Sequence, residues 1–371
     1  MQGVGKMIER KVICICFAIV VSLMVPSLTA VNAGGIGDGS VDVIDVNGDP
    51  VHLDGPATKV AALGVGIVKT IMDLRCDDKI VGVDHYSSAD YTGNSDFAAF
   101  ENLGNYYTPD GREEILLRLI QMMDDGDFEH DDLVILAPNY SYISGGASND
   151  LLHLNEAGAN FKIIEIVSSS LDYDGVVNMV NNIGLILGSP NAEYVVENMI
   201  RTKTLVSSMV GDTDTKVPAI HMSSAATPTF YNRSILLSMV SIAGGSNAGD
   251  NGSAAASHAE SMSAIAELLE EHGRLVIFLD AGNPNSAAQI RSQLDDHPGL
   301  TVVKMQPDWN NTCPAITDGL IVVAFALHSG SDGMLFDTDR DNDNGWYVYI
   351  VAAVVVAAAA GIAMLFILRR N

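Results

Sequence analysis

Basic residues are scarce in this 371-residue chain. Twenty Lys and Arg stand against 46 Asp and Glu, a formal net charge of −26, and such a field makes nucleic acid and anionic lipid surfaces poor partners. Charged residues of both signs reach only 18%, too few to read the acidity as a salt-adapted surface. Cysteine is almost absent. Of the four, Cys14 and Cys16 lie in an N-terminal apolar run, which leaves Cys76 and Cys313 in different halves of the chain. A disulfide between them would lock the halves; two free buried thiols is the reading adopted, and no CxxC spacing marks a metal site. Also missing are G-x-S-x-G, H-E-x-x-H and a Walker loop, and Gly64-Val65-Gly66 lacks the third glycine of a dinucleotide fingerprint. The chain is therefore not expected to be an enzyme or to hold a cofactor. Asp337, Asp339, Asp341 and Asp343 alternate as in a calcium loop, but without its sixth-position Gly and closing Glu they read as a hydrated acidic stalk.

What is present begins at the two ends. Lys6, Arg10 and Lys11 precede an apolar run over residues 12–25, with Ala30 and Ala33 following, the pattern of a secretory signal peptide cleaved after Ala33. No Cys stands at the cleavage region to carry a lipid. Residues 348–368 contain no charge, are long enough to cross a hydrocarbon core, and are flanked by Trp346, Tyr347 and Tyr349. Arg369 and Arg370 follow, which places the C-terminus in the cytoplasm and everything before Trp346 outside. Removing both ends takes five of the 20 basic residues but one acidic residue, leaving an ectodomain of about −30. Sequons at Asn139, Asn232, Asn251 and Asn310 are compatible with that location.

Between the ends, Val41 to Val46 alternate as a strand, Asn47-Gly48-Asp49-Pro50 form a turn, and Val51-His52-Leu53 pair back as a hairpin. Residues 59–64, 67–74 and 79–84 then read strand, helix, strand, which implies parallel pairing by a right-handed crossover. The theme recurs with strands at 132–137 and 161–167 around a helix at 150–157. Residues 172–210 are helical: Val176, Val177, Val180, Ile183 and Ile186 recur at helical spacing, Gly188-Ser189-Pro190 interrupt, and Val195, Val196, Met199, Ile200, Leu205, Val206 and Met209 resume it. Beyond lie strands at 217–222, 275–279, 300–305 and 319–325 and helices at 234–243, 261–271 and 286–294. The fold class is α/β: two Rossmann-like lobes joined by a long rigid helix, plus a C-terminal transmembrane helix. The domains run 1–33 signal peptide, 34–167 first lobe, 168–211 helical connector, 212–330 second lobe, 331–345 stalk, 346–368 membrane span and 369–371 tail.

The run from Ala57-Thr58-Lys59-Val60-Ala61-Ala62-Leu63-Gly64 through Asp78-Lys79-Ile80-Val81-Gly82-Val83-Asp84 resembles the opening of class III solute-binding proteins of ABC importers. Glu113-Glu114-Ile115-Leu116 and Asp132-Leu133-Val134-Ile135 are similar to that family's first-lobe helix and "PDLVI" strand, with Asp131 in place of the proline. Ala243-Gly244-Gly245, and Trp309 followed by Ala315-Ile316-Thr317-Asp318-Gly319, resemble its second-lobe landmarks. The resemblance covers roughly residues 41–328. It implies capture of an iron-siderophore, haem or cobalamin in the cleft between lobes, as a transported ligand, for delivery to an ABC permease and its ATPase. It also implies permease-docking carboxylates at Glu113 and, less directly because the match falls on Ala266, at Glu267. Since a polar stretch separates His328 from Trp346, the family's helix after its last strand is expected to be missing or shortened. The rival reading is a cell-surface interaction or sensing protein that kept the fold with a degenerate cleft.

In open parallel sheets, ligands collect at the carboxyl ends of strands. That rule selects loops 64–66, 84–88, 138–144, 223–231 and 281–285, with His328 closing the last strand. His85, Tyr86, Tyr140, Tyr142, His221, Ser223, Tyr231 and His328 are the ligand-binding candidates, because imidazole or phenolate suits an iron or cobalt centre and aromatic faces suit a flat macrocycle. His85 is the expected axial ligand of a bound chelate.

Overall fold

The computed structural model describes residues 39–139, 147–168, 172–210, 216–223, 234–249 and 258–328. The signal peptide, stalk, membrane span and tail expected from the sequence lie outside them. Among the described residues no helix is long and apolar enough to cross a membrane.

The chain opens with the expected hairpin, β1 (Val41–Ile44) against β2 (Pro50–Leu53), antiparallel. A five-stranded sheet follows, built from β3 (Lys59–Ala62), β4 (Ile80–Asp84), β5 (Glu101–Gly104), β6 (Leu133–Asn139) and β7 (Lys162–Ser168) in the order β5-β4-β3-β6-β7. All its pairings are parallel, as strands alternating with helices require. Helices α1 (Val65–Asp73), α2 (Ala89–Thr92), α3 (Pro109–Asp125) and α4 (Ala147–Ala157) make the crossovers. Thr108 caps α3, its hydroxyl accepting from Gly111 N, with Pro109 at the first turn and Gly126 in the left-handed conformation ending it. The core packs Leu63, Leu103, Ile115, Leu119, Leu133 and Ile135 between strands and helices.

The second sheet is also parallel: β8 (Val217–Met222), β9 (Gly245–Asn247), β10 (Leu275–Leu279) and β11 (Leu300–Lys304), ordered β11-β10-β8-β9. Helices α7 (Ile235–Ile242), α8 (His258–His272) and α9 (Ala287–Gln293) connect its strands. β5 and β9 have no clear sequence signature, being short and rich in Gly and Asn.

Two corrections concern helices. The connector is a pair, α5 (Tyr173–Leu187) and α6 (Ala192–Val210), as the Gly188-Ser189-Pro190 interruption predicts, so the lobes are not joined by one long rigid helix. Gly188 ends α5 at φ 61, a cap that favours glycine, and the chain folds back so that Tyr173 Oη donates to Met199 O at 3.1 Å. Helix α5 packs on β1, β7 and α1, and α6 on α7 and α10 (Ile316–His328). The second correction is α10 itself, where residues 319–325 read as a strand. Its β-branched run is apolar enough to suit either element, but Ile316, Leu320, Val323 and Leu327 are buried at helical spacing against α6 and α7. The helix expected to be missing is therefore present.

Candidate functional site

Both sheets reverse strand order once, between β3 and β6 in the first and between β8 and β10 in the second, and a crevice opens at such points. At the first, β3 runs into Gly64, whose φ of 122 only glycine adopts without strain. Gly64 N donates to Oδ1 of Asp84, at the carboxyl end of β4, at 2.8 Å. Tyr86 N donates to Asp84 Oδ2 at 3.2 Å and the Ser87 hydroxyl to Oδ1. Asp84 is fully buried, and burial raises its pKa, opposed by the Ser87, Gly64 and Tyr86 donors. One carboxylate thus fixes the turn that presents His85 and Tyr86.

Those two rings begin an aromatic cluster. His85 lies 5.3 Å from Tyr86 and 5.4 Å from Tyr91 of α2. Tyr86 lies 4.7 Å from Tyr91 and 5.0 Å from Tyr107, both nearly perpendicular, the edge-to-face geometry that aromatic quadrupoles favour. Tyr107 in turn meets Tyr106, whose hydroxyl donates to Pro138 O at 2.6 Å. Tyr91 is 58% exposed, so the cluster reaches the surface beside the carboxyl ends of β4 and β5. Tyr91 and Tyr107 are not legible in the sequence as site residues: neither ends a strand, and β5, which precedes Tyr107, has no clear sequence signature.

The second lobe treats its histidines differently. His221, on β8, is 1% exposed, with Nε2 2.6 Å from Asp280 Oδ1 and Nδ1 3.1 Å from Ser234 Oγ. Ser234 caps α7, its Oγ accepting from Leu237 N at 3.2 Å. A neutral ring donating from Nε2 to the carboxylate and accepting from the hydroxyl at Nδ1 satisfies all three groups. His221 therefore ties β8, β10 and α7 together beneath the crevice. Ser223, also buried, accepts through its carbonyl from Asn283 Nδ2 at 2.6 Å, and Lys304 Nζ donates to Asn283 O at 3.0 Å. His328 does not close a strand; it ends α10, with Nε2 2.8 Å from Ala243 O. The histidines are thus not brought to one point, and among the described residues no three His, Cys, Asp or Glu side chains form a metal-holding group. Tyr140, Tyr142 and Tyr231 lie outside the described residues. Glu113 and Glu267 are exposed on α3 and α8, and Ala266 turns inward against the core.

The lobes touch near the first crevice. A Cβ on Gly66 would fall inside contact distance of Thr312 Oγ1 and 2.5 Å from Thr312 O, so α1 begins directly under the loop that follows β11. Lys69 pairs with Asp308 of the same loop. Cys76 and Cys313 are free and buried, as expected, and burial pushes the Cys313 thiol up to about 12.

No protein-family model matches the sequence, and no curated protein matches it. Solved structures do. CeuE of Helicobacter pylori, in a complex with nickel and histidine, aligns with a TM-score of 0.55 at 13% identity over 78% of this chain and 88% of its own. The periplasmic vitamin B12 binding protein BtuF of Vibrio cholerae aligns at 0.51, with 15% identity, 73% and 97%. The periplasmic haem-binding protein RhuT of Roseiflexus sp. RS-1 aligns at 0.50, with 14% identity, 74% and 99%. The described chain has the two-lobe α/β fold of periplasmic solute-binding proteins. At these identities the likeness is one of fold.

Proposed function

We propose that this chain is a solute-binding protein, tethered to the outer face of the cell membrane by its C-terminal run, that captures a metal chelate and delivers it to an ABC permease. The fold supports the class, because proteins that share it bind such ligands. The observation that carries the ligand reading is the cluster of His85, Tyr86, Tyr91 and Tyr107 at the carboxyl edge of the first sheet. It offers an imidazole among aromatic edges and faces, a surface suited to a macrocycle or a catecholate chelate. Because Thr312 covers Gly66 at the switch point, the ligand belongs over β4 and β5, to one side of it.

Purified protein exposed separately to haem, cobalamin and a ferric siderophore tests this by visible absorption. If His85 ligates the metal, His85→Ala shifts the bound chromophore's spectrum as well as weakening binding. If the cluster only packs against the ligand, Tyr86→Ala and Tyr91→Ala each weaken binding by about 5- to 150-fold, from roughly 1 to 3 kcal/mol per ring, with the spectrum kept. The same lobe contact at Gly66 and Thr312 also favours the second reading, an interaction or sensing protein whose cleft is closed. Failure to bind any of the three ligand classes selects that reading. Glu113 and Glu267 remain the docking carboxylates of the proposal, exposed on separate lobes.

A further inference from the structure

Away from the aromatic cluster, Glu165 is a buried carboxylate on β7 with unusual company. It is 5% exposed. Asn47 Nδ2 donates to its Oε2 at 2.5 Å and Asn139 Nδ2 at 2.8 Å, while Oε1 has no hydrogen-bond partner. Among the described residues no Lys, Arg or His pairs with it. The two amide donors both serve Oε2, so a buried carboxylate with one bare oxygen and no counter-charge is only partly compensated for the water it loses.

The groups around it are all oxygen-bearing. Asn47 Nδ2 also donates to Asp45 Oδ2 at 3.2 Å, so carboxylate oxygens from Asp45 and Glu165 lie within about 6 Å of each other, across one amide. The turn is held open by Asp45 Oδ1, which accepts from Asn47 N at 2.8 Å and Asp49 N at 2.9 Å. Asp45, Asn47 and Asp49 stand at alternate positions, the spacing with which calcium loops begin. Asn139 Nδ2 also donates to Asn47 Oδ1 at 2.9 Å. A side-chain amide presents nitrogen or oxygen by a half-turn of its last torsion. Turned over, Asn47 would aim its carbonyl oxygen between the two carboxylates, and Asn139 would aim its own at Glu165 Oε2.

We infer that Asp45, Asn47, Asn139 and Glu165 form a calcium site that joins the β1–β2 turn to the ends of β6 and β7. Carboxylate and amide oxygens without nitrogen or sulfur select a hard cation, and side chains from three separate elements suit the looser shell of Ca²⁺ better than the strict octahedron of Mg²⁺. Three carboxylates do not converge on one point here; the amide oxygens complete the shell. The ion would also hold Asn139, the last residue of β6.

The test is calorimetric titration of Ca²⁺ into the purified, chelator-treated protein, with thermal unfolding alongside. One saturable site with Kd of roughly 10⁻⁴ to 10⁻³ M is expected, together with a higher midpoint in Ca²⁺. Glu165→Gln, which keeps the side chain's shape, and Asp45→Asn, on the more exposed turn, should each weaken binding at least tenfold; should the buried substitution not fold, the Asp45 variant decides. Asp337→Asn with Asp339→Asn, in the acidic segment outside this cluster, should leave the site intact. No saturable binding up to about 10 mM, unchanged affinity in the Glu165 and Asp45 variants, or loss only in the Asp337/Asp339 variant would each overturn the assignment.

Discussion

Tyr173 shows how one buried group makes stability depend on pH. Its ring is 1% exposed at the start of α5 and its hydroxyl reaches across to Met199 O; burial pushes its pKa up to about 12 from an ordinary 10. The unfolded chain therefore releases this proton first as pH rises. The contribution is whole below pH 10 and is lost between 10 and 12, and at about 1.4 kcal/mol per unit it amounts to roughly 3 kcal/mol. Cys313, raised from 9 to about 12 by burial, acts with the same sign from a lower starting point. Urea midpoints measured from pH 8 to 12 should fall steeply, and Tyr173→Phe should flatten the fall above pH 10. An identical curve in that variant would contradict the burial of the hydroxyl. Asp84 has the same sign at the acid end: burial raises its pKa, so its protonation on acidification favours the folded state.

At the scale of elements, α1 decides how closely the lobes approach. It begins Gly64, Val65, Gly66, and a methyl at residue 66 would meet both the hydroxyl and the carbonyl oxygen of Thr312. Gly66→Ala therefore should lower the unfolding midpoint by an amount worth about 1 to 3 kcal/mol, the usual cost of overpacking. Thr312→Ala in the same chain should restore only part of it, because the backbone oxygen stays 2.5 Å from the added carbon. Chemical denaturation of the single and double variants checks this; a Gly66→Ala protein as stable as the parent would place this loop elsewhere. The helix pair α5 and α6 joins the lobes by the same close packing: Gly184 leaves no room for a side chain against Ala192, and Ser189 Oγ donates to Leu74 O at 2.8 Å.

For the whole molecule, the described residues fall within one compact unit, which on the proposed topology stands outside the cell, held by the apolar run at 348–368. Protease added to intact cells should then release a fragment that ends in the acidic stretch before Trp346 and leave a short C-terminal stub in the membrane fraction, detectable with a C-terminal tag. A chain that resists protease until the cells are lysed would refute the orientation. The acidity of residues 34–345 should also make the proposed ligand binding insensitive to added nucleic acid, since both carry the same sign of charge.

The sequence by itself determined the alternation of strands and helices, the parallel sheets and two lobes, because apolar runs bounded by Gly, Pro and capping residues report local structure directly. It also located the loop of His85 and Tyr86, which follows a strand whose end is plain in the sequence. Tertiary structure alone decided the rest. The apolar run of α10 fits a buried strand or a buried helix equally well, and only packing against α6 and α7 chose the helix, taking His328 off a strand end. Gly188 breaks the connector in the sequence, but the way α6 folds back on α5 depends on what each packs against. Whether a histidine at a strand end faces the crevice or lies beneath it depends on partners far along the chain: Asp280 and Ser234 bury His221, whereas Tyr91 and Tyr107 meet the rings of His85 and Tyr86 at the surface. Glu165 finds Asn47 across 118 residues, a separation at which no local pattern constrains who meets whom.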